Sequence, residues 1–124
     1  MKPRFTAQAD ADVVAILRRT RKLFGPGQVM AYAEIIDEGV AMIAKNASRP
    51  AVMGRSELGP GVKSMHLEHA ARRRGGAAHV LYFLETQGEV IVILRVLHEA
   101  MEPRRRLMQA LRDEEGAKGS EPRT

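Results

Sequence analysis

The stretch from Glu89 to Leu107, EVIVILRVLHEAMEPRRRL, decides the fold of this chain. Its positions Val90 to Leu97 contain seven branched aliphatic residues and a single polar one, Arg95. Such a run is typical of a strand that is covered on both faces in the middle of a sheet. A guanidinium there needs a partner or a route to the surface. We therefore expect Arg95 either to pair with an acidic neighbour such as Glu85 or Glu89, or to bind a partner molecule.

Further strands are predicted upstream of this central run. Residues 62–67 and 78–84 have the composition of strands, and residues 3–5 could form a short edge strand. The segment Glu85-Thr86-Gln87-Gly88 is a usable hairpin turn, so the last two strands should be antiparallel. The sequence thus predicts an antiparallel sheet of three or four strands.

Two helices are predicted between the edge strand and the rest of the sheet. Thr6 is placed to cap the first helix, and Gly25-Pro26-Gly27 should end it. The second helix should run from about residue 28 to 45, with Asn46 ending it in a left-handed conformation. A three-residue connection forces the helices antiparallel, so they should cover one face of the sheet as a hairpin. The apolar stripe of the first helix is predicted to contain Ala9, Val13, Ile16, Leu17, Thr20 and Phe24.

The C-terminal part should be a short helix that begins at Pro103 and is followed by a polar tail. Residues 1–112 would then form one domain, and residues 113–124 should be disordered. The fold class predicted for the chain is therefore α+β: an N-terminal helical hairpin packed on a three- to four-stranded antiparallel sheet, with a short C-terminal helix.

Composition excludes several classes of protein. The 124 residues include no cysteine, which excludes disulfides, thiolate metal sites and a thiol nucleophile. No signal peptide or membrane span is apparent, so we expect a cytoplasmic protein. The net charge of +5 favours an acidic protein or a nucleic acid as partner.

Histidines give little support for a metal site. His66 and His69 are three residues apart, but no carboxylate cluster or cysteine completes a coordination shell, and a strand would direct the two side chains to opposite faces. We therefore expect neither a metal nor a cofactor.

Several short motifs, taken together, resemble one known group of proteins. These are the opening FTAQADADVVAIL, the FGPGQVMAY turn, the HVLYF strand, and RVLHEAM followed by RRRL. In this order, over residues 3–107, they resemble the toxins of the RelE/ParE superfamily, and within it the ParE branch. The resemblance implies the same α+β fold and the toxin of a type II toxin–antitoxin pair. Such a toxin stops bacterial growth, is not an enzyme, and is known for poisoning DNA gyrase.

The resemblance also implies partners and site residues. A ParD-like antitoxin would neutralise the toxin in a hetero-oligomer and would carry the complex to operator DNA. The ParE branch has a histidine, a methionine and a downstream arginine at a spacing matched here by His98, Met101 and Arg105. With Arg104 and Arg106, these are the candidate target-binding residues. Taken alone, His98 is better explained as a residue that bonds the backbone and fixes a turn than as a catalytic one, and Met101 as a packing residue.

The antitoxin should cover an exposed apolar groove with a basic rim. The candidate residues for the groove and its charged rim are Met53, Leu58, Tyr82, Leu84, Arg95 and Arg105.

Two other functions remain open at this point. The first is ribosome-dependent cleavage of mRNA, as in the RelE branch, which uses a tyrosine near the C-terminus. The final segment HEAMEPRRRL contains none, and the two tyrosines, Tyr32 and Tyr82, fall in a helix and a strand. The second is a non-toxic basic module that binds protein or nucleic acid. Its candidate surfaces are the arginine runs at 72–74 and 104–106, although such runs are most often simply solvated.

Overall fold

The computed structural model describes the backbone of residues 1–120 and the side chains of residues 1–116. Along the chain these residues form β1 (Lys2–Phe5), α1 (Ala7–Phe24), α2 (Pro26–Lys45), β2 (Met53–Gly54), β3 (Lys63–His66), α3 (Glu68–Ala71), β4 (His79–Glu85), β5 (Val90–His98) and α4 (Pro103–Ser120).

The sheet has the strand order β1-β5-β4-β3-β2, with β5 in its interior. The α+β class is confirmed, but the sheet has five strands and is mixed rather than purely antiparallel. The strand at the N-terminus runs parallel to β5, from Lys2 beside Val90 to Phe5 beside Ile93. The fifth strand, β2, has only two residues and was not among the predicted strands.

Each face of β5 contributes to a separate apolar layer. One layer packs under the helical hairpin and the other packs under α4, so the predicted burial of this strand on both faces is confirmed. Under the hairpin the strand contributes Ile91, Ile93 and Val96. Under α4 it contributes Val92, Leu94 and Leu97.

Thr6 caps α1 as predicted. Its hydroxyl oxygen accepts the N–H of Ala9 at 3.0 Å, and its hydroxyl donates to the carbonyl of Leu94 at 2.8 Å. The Thr6 side chain therefore begins the helix and fixes it to the central strand at the same time.

The connection between the two helices is shorter than predicted. Only Gly25 separates α1 from α2, and it has a φ of 88°. Pro26 occupies the first turn of α2, where its missing N–H costs nothing. The left-handed ending predicted at Asn46 is wrong, since this residue is extended with φ at −153°. Its side-chain carbonyl instead accepts the N–H of Ser48 at 3.0 Å and so turns the chain.

The predicted apolar stripe of α1 is wrong at its last position, because the Phe24 side chain is 69% exposed. Asp12 bonds to Val96, close to the end of β5. At about 1.5 Å per residue, the rest of α1 continues roughly 18 Å beyond that level. The end of the hairpin therefore has no sheet beneath it.

The C-terminal helix is longer than predicted. Residues 113–120, which were expected to be disordered, are helical, and residues 121–124 lie outside the described residues. Arg4 forms a two-point ion pair with Glu114 at 3.0 and 2.7 Å, and Gln8 donates to Asp113 at 2.7 Å. These contacts hold α4 against the start of the chain. No helix within the described residues is long and apolar enough to cross a membrane.

Candidate functional site

A pocket of about 160 Å³ lies where β5 ends, between the middle of α1 and the first turn of α4. Four residues singled out from the sequence line it together: Arg95, His98, Met101 and Arg106. The rest of its wall includes Asp12 from α1 and His79 from β4. The structure therefore brings most of the candidate target-binding residues to one place.

Arg95 has its acidic partner on α1. Its guanidinium donates from Nε and Nη2 to the two carboxylate oxygens of Asp12, both at 2.7 Å, and from Nη1 to the carbonyl of Arg106 at 2.7 Å. The same carboxylate accepts the N–H of Val96 at 3.0 Å and raises the pKa of Arg95. Arg95 thus joins α1, β5 and α4 in one network.

The predicted partners of Arg95, Glu85 and Glu89, were wrong. Both belong to the end of the β4–β5 hairpin near the turn, whereas Arg95 lies opposite Tyr82, well along the ladder. Glu85 instead pairs with Lys63 at 2.8 Å. Asp12 is 83 residues from Arg95 in sequence, so no local pattern points to it.

A tyrosine and two histidines form a chain of contacts beside the pocket. The Tyr32 hydroxyl oxygen accepts the N–H of Ala78 at 3.2 Å, and the hydroxyl shares a hydrogen bond of 2.5 Å with Nδ1 of His79. The rings of His79 and His98 meet edge to face, with their centroids 5.4 Å apart. Burial lowers the pKa of His79 to about 4, helped by the nearby His98, and burial raises the pKa of Tyr32.

This chain of contacts was not foreseen as a unit. Tyr32 was assigned to a helix face and His79 to a strand, and the two are 47 residues apart. Each assignment to an element is confirmed, but a pairing across that distance leaves no periodic signal in the sequence.

His98 fixes the turn that follows β5. Its Nδ1 accepts the N–H of Ala100 at 3.0 Å, and its carbonyl accepts the N–H of Met101 at 2.9 Å. This backbone role of His98 was one of the two interpretations of the sequence. The packing interpretation of Met101 is wrong, because its side chain is 45% exposed.

The three arginines at the start of α4 point to different surroundings. Arg104 donates to the carbonyl of Glu57 at 2.7 Å, across the loop before β3. Arg106 donates to the carbonyl of Glu102 at 3.0 Å and lines the pocket. The Arg105 side chain is exposed and has no hydrogen bond or ion pair among the described side chains.

The candidate antitoxin residues do not form an open groove. Leu58, Tyr82 and Leu84 belong to the layer beneath α4, and Tyr82 is only 5% exposed. Met53 lies on the edge strand β2 and is 63% exposed. In this structure the chain's own C-terminal helix therefore fills the position where a groove was expected.

Comparisons with known proteins agree on one family. The family model described as "ParE toxin of type II toxin-antitoxin system, parDE" matches residues 4–103. Toxin ParE from Escherichia coli is 32% identical over 107 residues, which cover 86% of this chain and 93% of that protein. A chain of the chromosomal ParDE TA system from P. aeruginosa matches with a TM-score of 0.62 and 28% identity, over 79% of this chain and 95% of that one. This chain therefore belongs to the family of ParE toxins of type II toxin–antitoxin systems.

Proposed function

We propose that this toxin arrests bacterial growth in the cytoplasm by binding DNA gyrase, and that a ParD-like antitoxin neutralises it. The observation that carries the proposal is the match to Toxin ParE of Escherichia coli, which extends over 86% of the chain and includes the β5 segment. The description of the matched family, which names a parDE system, supports a ParD-like partner.

Binding rather than catalysis is favoured by the protonation of the site. A general base works best when its pKa lies near the working pH, whereas the pKa of His79 is about 4. The Tyr32 hydroxyl is held between Ala78 and His79, and its raised pKa makes it a poor acid. Tyr82, the other tyrosine, is buried. These features argue against the RelE-like cleavage of mRNA.

The target-binding surface in this proposal is the corner formed by the His98 turn and the start of α4. Met101 and Arg105 are both exposed, and His98 holds the turn that presents Met101. Arg104 and Arg106 flank them on α4. An exposed thioether beside guanidinium groups suits a partner surface that is apolar at its centre and acidic at its rim.

The antitoxin is proposed to bind on the α4 side of the sheet. Met53 and Arg105 are directly accessible there. Leu58 and Leu84 are partly exposed, whereas contact with the buried Tyr82 requires α4 to move aside. Arg95 would contribute through Arg106, whose carbonyl it holds.

The experiment that tests this proposal is growth of bacteria expressing the chain from a tight promoter, with gyrase supercoiling assayed on the purified toxin. The wild-type chain should arrest growth and inhibit supercoiling, and co-expression of the antitoxin frame from the same operon should relieve both. Replacing Met101 by Ser together with Arg105 by Glu should weaken inhibition at least tenfold. Replacing Met108 by Ser together with Arg112 by Glu is the matched control on the exposed side of α4.

Each contrary result has a separate meaning. Growth arrest with intact supercoiling would exclude gyrase as the target and still support a toxin. Normal growth at confirmed soluble expression would leave a non-toxic binding module. Full activity of the Met101/Arg105 variant would remove this corner as the contact surface.

A further inference from the structure

The end of the helical hairpin contributes no buried residue to the core of the protein. No residue from 17 to 35 is buried, although this segment includes the last two turns of α1 and the first two turns of α2. We call residues 18–30 the hairpin tip. The buried residues of the two helices lie on either side of the tip, at Ile16 and before it, and from Ile36 onwards.

The tip carries most of the net charge of the protein. It contains Arg18, Arg19, Arg21 and Lys22 and no acidic residue. The rest of the chain is nearly neutral, with sixteen basic residues against fifteen acidic ones. None of the four cations forms an ion pair with the side chains that the structure describes. Their charge is therefore available to a partner.

The tip also exposes large apolar side chains. Leu23 is 55% exposed, Phe24 is 69% exposed and Met30 is 67% exposed. A single exposed apolar residue on a monomer needs no explanation, but several within one short segment indicate a contact surface. Gly25 at φ 88° and Pro26 in the first turn of α2 set the backbone between these side chains. A tip with a defined backbone loses little conformational entropy when it binds.

We propose that the hairpin tip is a second contact between the toxin and its protein target, inserting Phe24 into an apolar pocket rimmed by carboxylates. The inference rests on the proposed function, because it assumes that a protein target exists. The positive charge of the tip matches an acidic rim, and its apolar side chains match a pocket floor.

Other occupants suit the tip less well. Nucleic acid would satisfy the cations but offers no apolar pocket for Leu23 and Met30. A second copy of the chain, meeting tip to tip, would bring eight cations together. A membrane surface usually takes a helix lying flat with one apolar face, whereas the apolar residues here are grouped where two helices meet.

The test uses two variants of the full-length toxin, Phe24→Ser and the charge reversal of Arg18 and Arg21 to Glu. Val14→Ser and Lys45→Glu are matched controls, since both residues are exposed on the same two helices outside the tip. Growth arrest, binding to purified gyrase and binding to the cognate antitoxin are measured for each variant. Thermal unfolding checks the fold. The tip variants should lose growth arrest and bind the target at least tenfold more weakly, with melting temperature and antitoxin affinity unchanged.

The outcomes separate this inference from the proposed function. If the wild-type toxin arrests growth without binding gyrase while the tip variants do not arrest growth, the tip is supported as a target contact and gyrase is excluded as the target. If the tip variants arrest growth like the controls, the tip is overturned. Loss of antitoxin affinity in the tip variants would assign the tip to the antitoxin instead. If the wild-type toxin forms dimers in light scattering and only the tip variants do not, the tip binds a second copy of the chain instead of the target. If the wild-type toxin sediments with anionic vesicles and only the tip variants do not, the tip binds lipid instead.

Discussion

At the scale of single residues, the carboxylate of Asp12 holds the pocket together. It accepts two bonds from Arg95 and one from the N–H of Val96. Replacing it by Ala leaves a guanidinium and a backbone donor unpaired in a half-buried site, which should cost about 2 kcal/mol of unfolding free energy. Urea unfolding measures this, with Asp10→Ala, an exposed acid on the same helix, as the control. Equal losses in the two variants would contradict a special role for Asp12.

His79 should make the protein sensitive to acid. In the unfolded chain its pKa has the ordinary value of 6.5, and in the folded state it is about 4, because burial and then the nearby His98 oppose its charge. As the pH falls from 6.5 to 4, the unfolded chain binds a proton that the folded protein refuses, so stability is lost. Allowing for solvent screening of a partly exposed ring, the loss is on the order of 1–2 kcal/mol.

Replacing His79 by Asn should remove this part of the acid sensitivity, since an uncharged amide can still form a hydrogen bond with the Tyr32 hydroxyl. Unfolding free energies at pH 7 and pH 4.5 give the comparison. The same substitution at His69, which is exposed on α3, should leave the difference between the two pH values as in the wild type. If the free energy of unfolding still falls steeply between pH 7 and pH 4.5 without His79, the carboxylates are responsible instead.

The sequence shows that Arg95 needs a partner, but it does not show which residue the partner is. Arg95 in an apolar strand demanded a carboxylate, and one is present. Its identity depends on how α1 lies across β5, a long-range packing arrangement that no nearby spacing encodes. The exposure of Phe24 also depends on long-range packing. Its helical periodicity is correct, but α1 extends beyond the end of the sheet.

At the scale of elements, α2 crosses the sheet closely at Gly39. A Cβ at this position would clash with Cδ2 of Leu67, which is fully buried, and would lie 3.4 Å from Cδ1 of Leu81. Alanine favours a helix by about 1 kcal/mol over glycine, but overpacking a full core costs about 1–3 kcal/mol. Because the fully buried Leu67 side chain would have to shift within the core, we expect the packing cost to exceed the helix preference, so that Gly39→Ala destabilises the protein.

Gly116 offers the matched control for that substitution. It lies inside α4, and a Cβ there meets nothing within 4 Å. Gly116→Ala should therefore stabilise the protein by roughly 0.5–1 kcal/mol. Opposite signs for the two alanines in thermal unfolding would support the close crossing, and stabilisation by both would exclude it.

Elements differ in how far the sequence reveals them. The central strand, the Thr6 cap and the β4–β5 hairpin follow from local patterns, and all three were predicted. The parallel pairing of β1 with β5 was not, because it joins residues about 88 positions apart through a strand of only four residues. The length of α4 was missed since its polar end is held by side-chain contacts to Arg4 and Gln8 rather than by apolar periodicity.

At the scale of the whole molecule, the two apolar layers share one strand, so they should unfold together. The apolar side chains of β5 are divided between the layer under the hairpin and the layer under α4. Losing either layer uncovers one face of the strand that supports the other. We therefore expect a single cooperative transition, as is usual for domains of this size, rather than early loss of α4.

The two tyrosines report this prediction, because Tyr32 packs against the hairpin layer and Tyr82 belongs to the layer beneath α4. In protein labelled with 3-fluorotyrosine, the fluorine resonances of both should reach their unfolding midpoints at the same urea concentration. Leu107→Ala removes a fully buried side chain of α4 and should lower the free energy of unfolding by about 2–4 kcal/mol. Both midpoints should therefore move together to a lower urea concentration. If the Tyr82 resonance moved alone, α4 would be a separately unfolding element, and access to the residues beneath it would require no loss of the hairpin layer.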